Sequence, residues 1–431
     1  MTPKQLFTIL PFTMLLVSLD SISMHMVSPE MNMITMNTTF WWLVNFIVLF
    51  LFFTATKYFF QKENETIFWF IKAYLIWNII CTVRGTFVAE TYWDWKGLIS
   101  NSMALLLPIV AYTASNIQLL QALLRFYIKY SLPLFVIIPF FIAKDAYGFY
   151  LVPISFLILF LPLLTNYWKR IVIFLTLIIL MADLGARSNV IKFVVPFILL
   201  LIYYVKVFRE LALLEIARKI LFVIPFLFLF LAVSGVFNVF KMEDYTSGKL
   251  VEVKRDETGA IVEDNLKADT RTFLYVDVLN TAIKHNSWWF GRTPARGNES
   301  DSFGEVDMSG RNERLRNEVG ILNVFTWTGI TGVLLYFLIF YRASYLAINK
   351  SNNMFSKILG VFIAFRWVYA WVEDLNNFTL NYMLLWLMIG LCFSKSFRRL
   401  SNKQVKLWVR GIFDIRYAYL NHLLLAKPEK K

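Results

Sequence analysis

The chain has 431 residues, 58% apolar and 17% charged, with 43 basic against 29 acidic side chains and a formal charge of +14. Soluble proteins average about 25% charged residues and fewer than half apolar ones. With 18% aromatic residues and a mean hydropathy of +0.57, the composition excludes a soluble single core, a disordered chain, a coiled coil and a disulfide scaffold.

A membrane span takes about 20 apolar residues. The apolar runs predict about twelve helices, near 6–27, 39–56, 66–84, 97–117, 131–143, 149–165, 170–184, 190–206, 218–239, 318–341, 355–372 and 378–394. The first run follows only Lys4, contains Asp20 and lacks a small-residue cleavage site, so it reads as a retained span. The expected fold is an all-α polytopic membrane protein. Residues 1–240 hold helices one to nine, 241–317 a large loop, 318–394 helices ten to twelve, and 395–431 a basic tail.

The positive charge is sorted along the chain. Basic residues cluster at Lys57 to Lys62, Arg125 to Lys129, Lys169/Arg170, Lys206 to Lys219, Arg342 to Lys357 and in the tail. With the N-terminus inside, every cluster falls on the cytoplasmic side, where Lys and Arg accumulate in membrane proteins. The excess is then topological and gives no sign of nucleic acid. Cys81 and Cys392 lie inside apolar runs and support neither a disulfide nor a zinc site.

The large loop falls outside and holds 12 basic and 14 acidic side chains. Leu250 to Val253 and Ala260 to Val262, around Asp256 to Gly259, predict a hairpin. Thr270 is placed to cap a helix running to about Asn286, with Arg271, Tyr275, Val278 and Ala282 on one stripe. An irregular, glycine-rich stretch follows from Trp288 to Gly310. A last helix is expected from near Ser309 straight into the tenth span.

Ionisable groups within or beside spans default to functional suspects. Arg84, Asp183, Arg187 and Arg366 lie near outer helix ends, and the outer loops add Asp94, Lys96, Glu373 and Asp374. The large loop contributes Arg271, Arg292, Arg296, Arg311, Arg314 and Arg316. Guanidinium groups offer a planar fork of donors suited to phosphate, although pairing with Glu299, Asp301, Glu305, Asp307 and Glu313 is the plain alternative. A base for proton removal is His285 or Glu318; the plain alternatives are a helix C-terminal residue and an Arg314–Glu318 pair. Partial burial of Glu318 would raise its pKa toward a useful range. Acidic pairs such as Glu299-x-Asp301 sit among arginines and give no convincing metal site. Neither a P-loop nor a dinucleotide fingerprint occurs.

Gly185-Ala-Arg187-Ser188 at an outer helix end, followed by a large loop between late spans, resembles the O-antigen ligase/polymerase superfamily. The loop exit, from Asn317-Glu318 through Gly329-Ile-Thr-Gly332, is similar to that family's His-Asn-x-x-Leu…Glu-Thr-Gly-x-x-Gly stretch. Lys284-His285-Asn286 to Phe290-Gly291 is similar to its His-Pro-x-x-Gly-x-Gly turn. The resemblance covers roughly 170–345. It implies metal- and cofactor-independent, inverting glycosyl transfer at the periplasmic face of a bacterial inner membrane. The donor would be a glycan on undecaprenyl diphosphate and the acceptor a sugar hydroxyl, with membrane lipids and a chain-length regulator as partners. Arg187 and Arg271 fall where family arginines bind the diphosphate, with Arg292, Arg296 and Arg314 as further candidates and Arg84, Arg366 and Asp374 in supporting positions. Glu318 stands where the ligase has its histidine. That departure favours a repeat-unit polymerase over a ligase acting on lipid A-core. A transporter or flippase is the non-enzymatic alternative.

Overall fold

The computed structural model describes residues 1–27, 38–61, 64–183, 187–241, 271–300 and 312–418, and the backbone of 251–255 and 261–265. Arg311, Thr270, Ser309 and the chain after 418 lie outside these. The described chain is almost entirely helical. Six helical stretches are long and apolar enough to cross a membrane: Pro3–His25, Thr38–Phe59, Tyr92–Ala114, Arg187–Tyr204, Leu211–Val233 and Gly320–Asn349. This is consistent with an all-α membrane protein.

The helices used below are α1 Pro3–Ile9, α2 Phe12–Asp20, α3 Thr38–Phe59, α4 Trp69–Thr86, α5 Tyr92–Leu106, α6 Val110–Ala114, α7 Ile117–Phe126 and α8 Asn166–Ala182. They continue as α9 Arg187–Leu199, α10 Leu211–Val233, α11 Thr272–Lys284, α12 Gly320–Asn349, α13 Met354–Tyr369, α14 Leu380–Phe393 and α15 Asn402–Phe413. Every residue of α14 is buried, as expected of a helix that is apolar all round. Gly390 lets it approach α6 closely, since a Cβ there would lie 2.3 Å from the Ala111 carbonyl oxygen. The tail folds back beneath the bundle. Val405, Trp408, Val409 and Ile412 of α15 are buried, and Arg125 of α7 donates to the Gly411 carbonyl.

Two expected spans, 131–143 and 149–165, are instead strings of short helical pieces. Pro133, Pro139, Pro153 and Pro162 each begin or interrupt a piece, because proline offers no amide hydrogen to continue a helix. In the loop, the expected hairpin forms: β1 Val251–Arg255 pairs antiparallel with β2 Ile261–Asn265. The expected stripe on α11 also turns inward, with Val278 and Ala282 buried and the Tyr275 hydroxyl donating to the Trp371 carbonyl. Arg271, rather than Thr270, occupies the N-cap of that helix.

The chain before Gly320 is not a continuous helix. Asn312 has a positive φ of 54°, β4 Glu313–Arg314 pairs with β3 Asn298–Glu299, and Val319 is still extended. Only at Gly320 does α12 begin, and it is broken at Gly329, whose φ of 68° and ψ of −172° are not helical. Ile321 donates its amide to the Ala370 carbonyl, while the Tyr336 ring meets Trp367, one turn away on α13. A straight helix would separate residues 321 and 336 by about 22 Å. The break therefore folds the first nine residues of α12 back over the end of α13.

Candidate functional site

The break in α12 is closed by the turn after α11. Ile330 and Thr331 donate their amides to the Trp288 and Trp289 carbonyls at 2.8 and 3.4 Å, and the Arg292 amide donates to the Thr326 carbonyl at 2.6 Å. Trp77 of α4 donates its indole N–H to the Thr328 carbonyl at 2.9 Å. Gly291, with φ 66°, lies against Gly329, and a Cβ on Gly329 would come within 2.4 Å of the Trp289 backbone. Only glycine accepts both the left-handed backbone and this contact. Arg84 completes the junction by donating to the Phe290 and Gly291 carbonyls at 2.7 and 3.3 Å.

Arg292 and Arg296 converge on one carboxylate. Glu313, 4% exposed at its side chain, accepts from Arg292 at 3.0 Å and from Arg296 at 3.0 and 2.5 Å. Burial alone would push this carboxyl up, but Arg296 and Arg292 outweigh it and hold the group below the ordinary glutamate value. These guanidinium groups pin β4 to the preceding turn. His285 caps the far end of α11, its Nε2 2.7 Å from Glu299 Oε1, while Lys284 reaches Oε2 at 2.6 Å. About 20 Å of helix separates it from Arg271. Glu318 pairs with Arg314 at 3.2 Å on non-helical chain, and its side chain is 56% exposed. The burial expected of it falls instead on another carboxylate.

That carboxylate is Glu373. It accepts from Arg271 at 3.3 Å, with side chains 20% and 25% exposed respectively. Two further cations of neighbouring helices act on it: Lys192 of α9 and Arg366 of α13, each 2% exposed. Arg366 donates to Asn381 Oδ1 at 2.9 Å and lies over the Tyr369 ring, while its buried Nε has no partner. Lys192 holds its ammonium 4.7 Å from the Phe149 ring centroid and has no hydrogen bond or ion pair among the described residues. Burial raises the Glu373 carboxyl above the usual value against the pull of Lys192 and Arg271. Asp374 lies beside it but is occupied by Arg316 at 3.1 Å, Asn323 at 3.3 Å and Asn377 at 2.6 Å.

The start of α9 is fixed from two sides, which sets where Lys192 lies. Tyr369 donates its hydroxyl to the Ser188 carbonyl at 3.1 Å, and Asn189 donates to the Asp145 carbonyl at 2.7 Å. Arg187, the first residue of α9, is exposed and has no partner among the described residues. Among the described residues, Lys192, Arg366 and Arg271 thus gather about Glu373, with the Asp374 and Glu318 carboxylates close enough to act on it too. Burying like charges is costly unless an anion joins them.

Of the arginines singled out from the sequence, Arg271 and Arg366 meet here and Arg187 stands one turn and a half away. Arg84, Arg292, Arg296 and Arg314 serve the loop junction instead. Lys192 was missed. It is the only charge between Arg187 and Lys206, and five residues after Arg187 it read as the edge of an apolar run. Comparison with protein-family models, curated proteins and solved structures finds no match for this chain.

Proposed function

We propose that this chain is a membrane-embedded glycosyltransferase. In this reading it polymerises undecaprenyl-diphosphate-linked oligosaccharide repeat units into O-antigen or capsular polysaccharide, at the periplasmic face of a bacterial inner membrane. Its N-terminus and tail lie in the cytoplasm, its spans number about twelve when the broken segments are included, and the large loop is periplasmic. The observation that carries the reading is the cluster of Lys192, Arg366 and Arg271 around Glu373. Buried cations suit a diphosphate, which brings two negative charges, and do not suit a neutral solute.

The reaction assigns a task to each group. An acceptor hydroxyl oxygen attacks the donor's anomeric carbon from the face opposite the diphosphate, so configuration inverts. The bond from that carbon to the phosphate oxygen breaks, and its electron pair leaves on the diphosphate, where Lys192, Arg366 and Arg271 stabilise the growing charge. Glu373 takes the hydroxyl proton. Its raised pKa makes it a better base than an exposed glutamate, and it replaces Glu318 and His285 in that role.

Cells carrying Lys192→Met in place of the native protein test this. The variant should insert normally and make single-repeat product without a polysaccharide ladder. A full ladder would sink the reading. Cells lacking the protein separate the alternatives: core with one repeat indicates a polymerase, and bare core with accumulated lipid-linked polymer a ligase. Lipid-linked repeats trapped on the cytoplasmic side would indicate a flippase.

A further inference from the structure

A cavity lies beside the Lys192–Glu373 cluster. It encloses about 280 Å³ between the end of α2, the start of α3 and α5, and its wall includes Asp20, His25, Trp41, Trp42, Lys96 and Arg316. Small-molecule sites begin at roughly 300 Å³, so the space suits a single sugar unit rather than a long chain. Its chemistry is unlike that of a lipid groove. Two indoles offer broad apolar faces with a negative π-cloud, matching the C–H face of a pyranose, and the carboxylate, imidazole and two cations offer acceptors and donors for hydroxyl groups.

The wall is held rigid. Trp42 donates its indole N–H to Ser100 Oγ at 2.9 Å, which fixes the ring. Ala143 donates its amide to the His25 carbonyl at 2.9 Å, and the His25 ring stacks on Phe149 at 5.0 Å. Asn45, 7% exposed, lies beside the Asp20 carboxylate in the same wall.

Two of its lining residues lead toward the cation cluster. The Phe149 ring that stacks on His25 also carries the Lys192 ammonium. Arg316 lines the cavity and bonds to Asp374, the neighbour of Glu373.

We propose that this cavity is a saccharide subsite, binding the terminal sugar of the acceptor glycan beside the Lys192–Glu373 cluster. The assignment rests on the glycosyltransferase reading for the word acceptor. The sugar-binding chemistry stands on the cavity alone.

Purified full-length protein in nanodiscs, probed by saturation-transfer NMR, tests it with two probes. The first is a mixture of free glucose, galactose, N-acetylglucosamine and glucuronic acid; the second is farnesyl diphosphate. At least one sugar should bind, and Asp20→Asn or Trp42→Phe should weaken that signal at least fivefold while farnesyl diphosphate binding is unchanged. Asp20→Asn conserves shape, Trp42→Phe keeps an aromatic ring, and retained diphosphate binding shows that the variants fold. Absence of binding by every sugar, or sugar signals unaltered in both variants, overturns the subsite. Loss of farnesyl diphosphate binding in Lys192→Met, with sugar binding intact, supports anion binding at the cation cluster. Sugar binding by a protein that never binds the diphosphate keeps the subsite and removes the glycosyltransferase reading.

Discussion

At the scale of residues, two glutamates of the same outer region behave oppositely. Glu313 is held below its ordinary pKa by Arg296 and Arg292. A depressed carboxyl contributes stability that is present above the unfolded value and lost as pH falls through the folded one. Glu313→Gln should therefore destabilise the loop by about 3–5 kcal/mol at neutral pH, because it leaves two guanidinium groups facing a neutral amide in a buried site. Limited proteolysis between 291 and 300 should read this, and the difference from wild type should shrink below about pH 4. Glu373 has the raised pKa. Its carboxylate form costs stability, so the acid limb of the activity profile should lie above the ordinary glutamate range and vanish in Glu373→Gln together with most turnover. Lys192→Met should be as stable as wild type or more so, since a buried cation short of partners is removed. A drop in thermal stability with activity retained would make Lys192 structural.

At the scale of elements, the junction of α12 with the turn after α11 decides the geometry. Gly291→Ala and Gly329→Ala each force a side chain into left-handed backbone and into contacts of 2.5 and 2.4 Å with facing backbone atoms. Either should lower the melting temperature in detergent by several degrees and expose the 288–296 turn to protease; an unchanged digest would mean that the junction is not a constraint. This is also where the sequence misled. Period and composition disclosed the hairpin, the inward stripe of α11 and the helical interior, because those depend on local pattern. A glycine within an apolar helix costs only about 1 kcal/mol, so nothing local marks Gly329 as a break. The positive φ is imposed by carbonyls of Trp288 and Trp289, some forty residues earlier. The Arg314–Glu318 pair was legible by spacing, yet it forms on extended chain, since β4 is held by its pairing with β3. Of the site itself, Arg271 and Arg366 could be seen as arginines at outer helix ends. That they meet Lys192 and Glu373 depends on how α9 and α13 pack, which no single helix reveals.

At the scale of the molecule, the sorted charge makes a topological prediction. Cysteines placed at 289 and 312 should react with a membrane-impermeant maleimide added to whole cells, and one placed at 403 only after permeabilisation. Cys81 and Cys392 are buried and should stay silent. Labelling of all three from outside would refute the proposed orientation. The junction at Gly329 carries one more consequence. Because the turn after α11 supplies hydrogen bonds that α12 lacks at its break, the loop that carries this turn is not a detachable module. A chimaera that exchanges 241–317 with another protein's loop would inherit an unrepaired helix, so any natural recombination that altered this protein's specificity would have to carry α12 along with the loop.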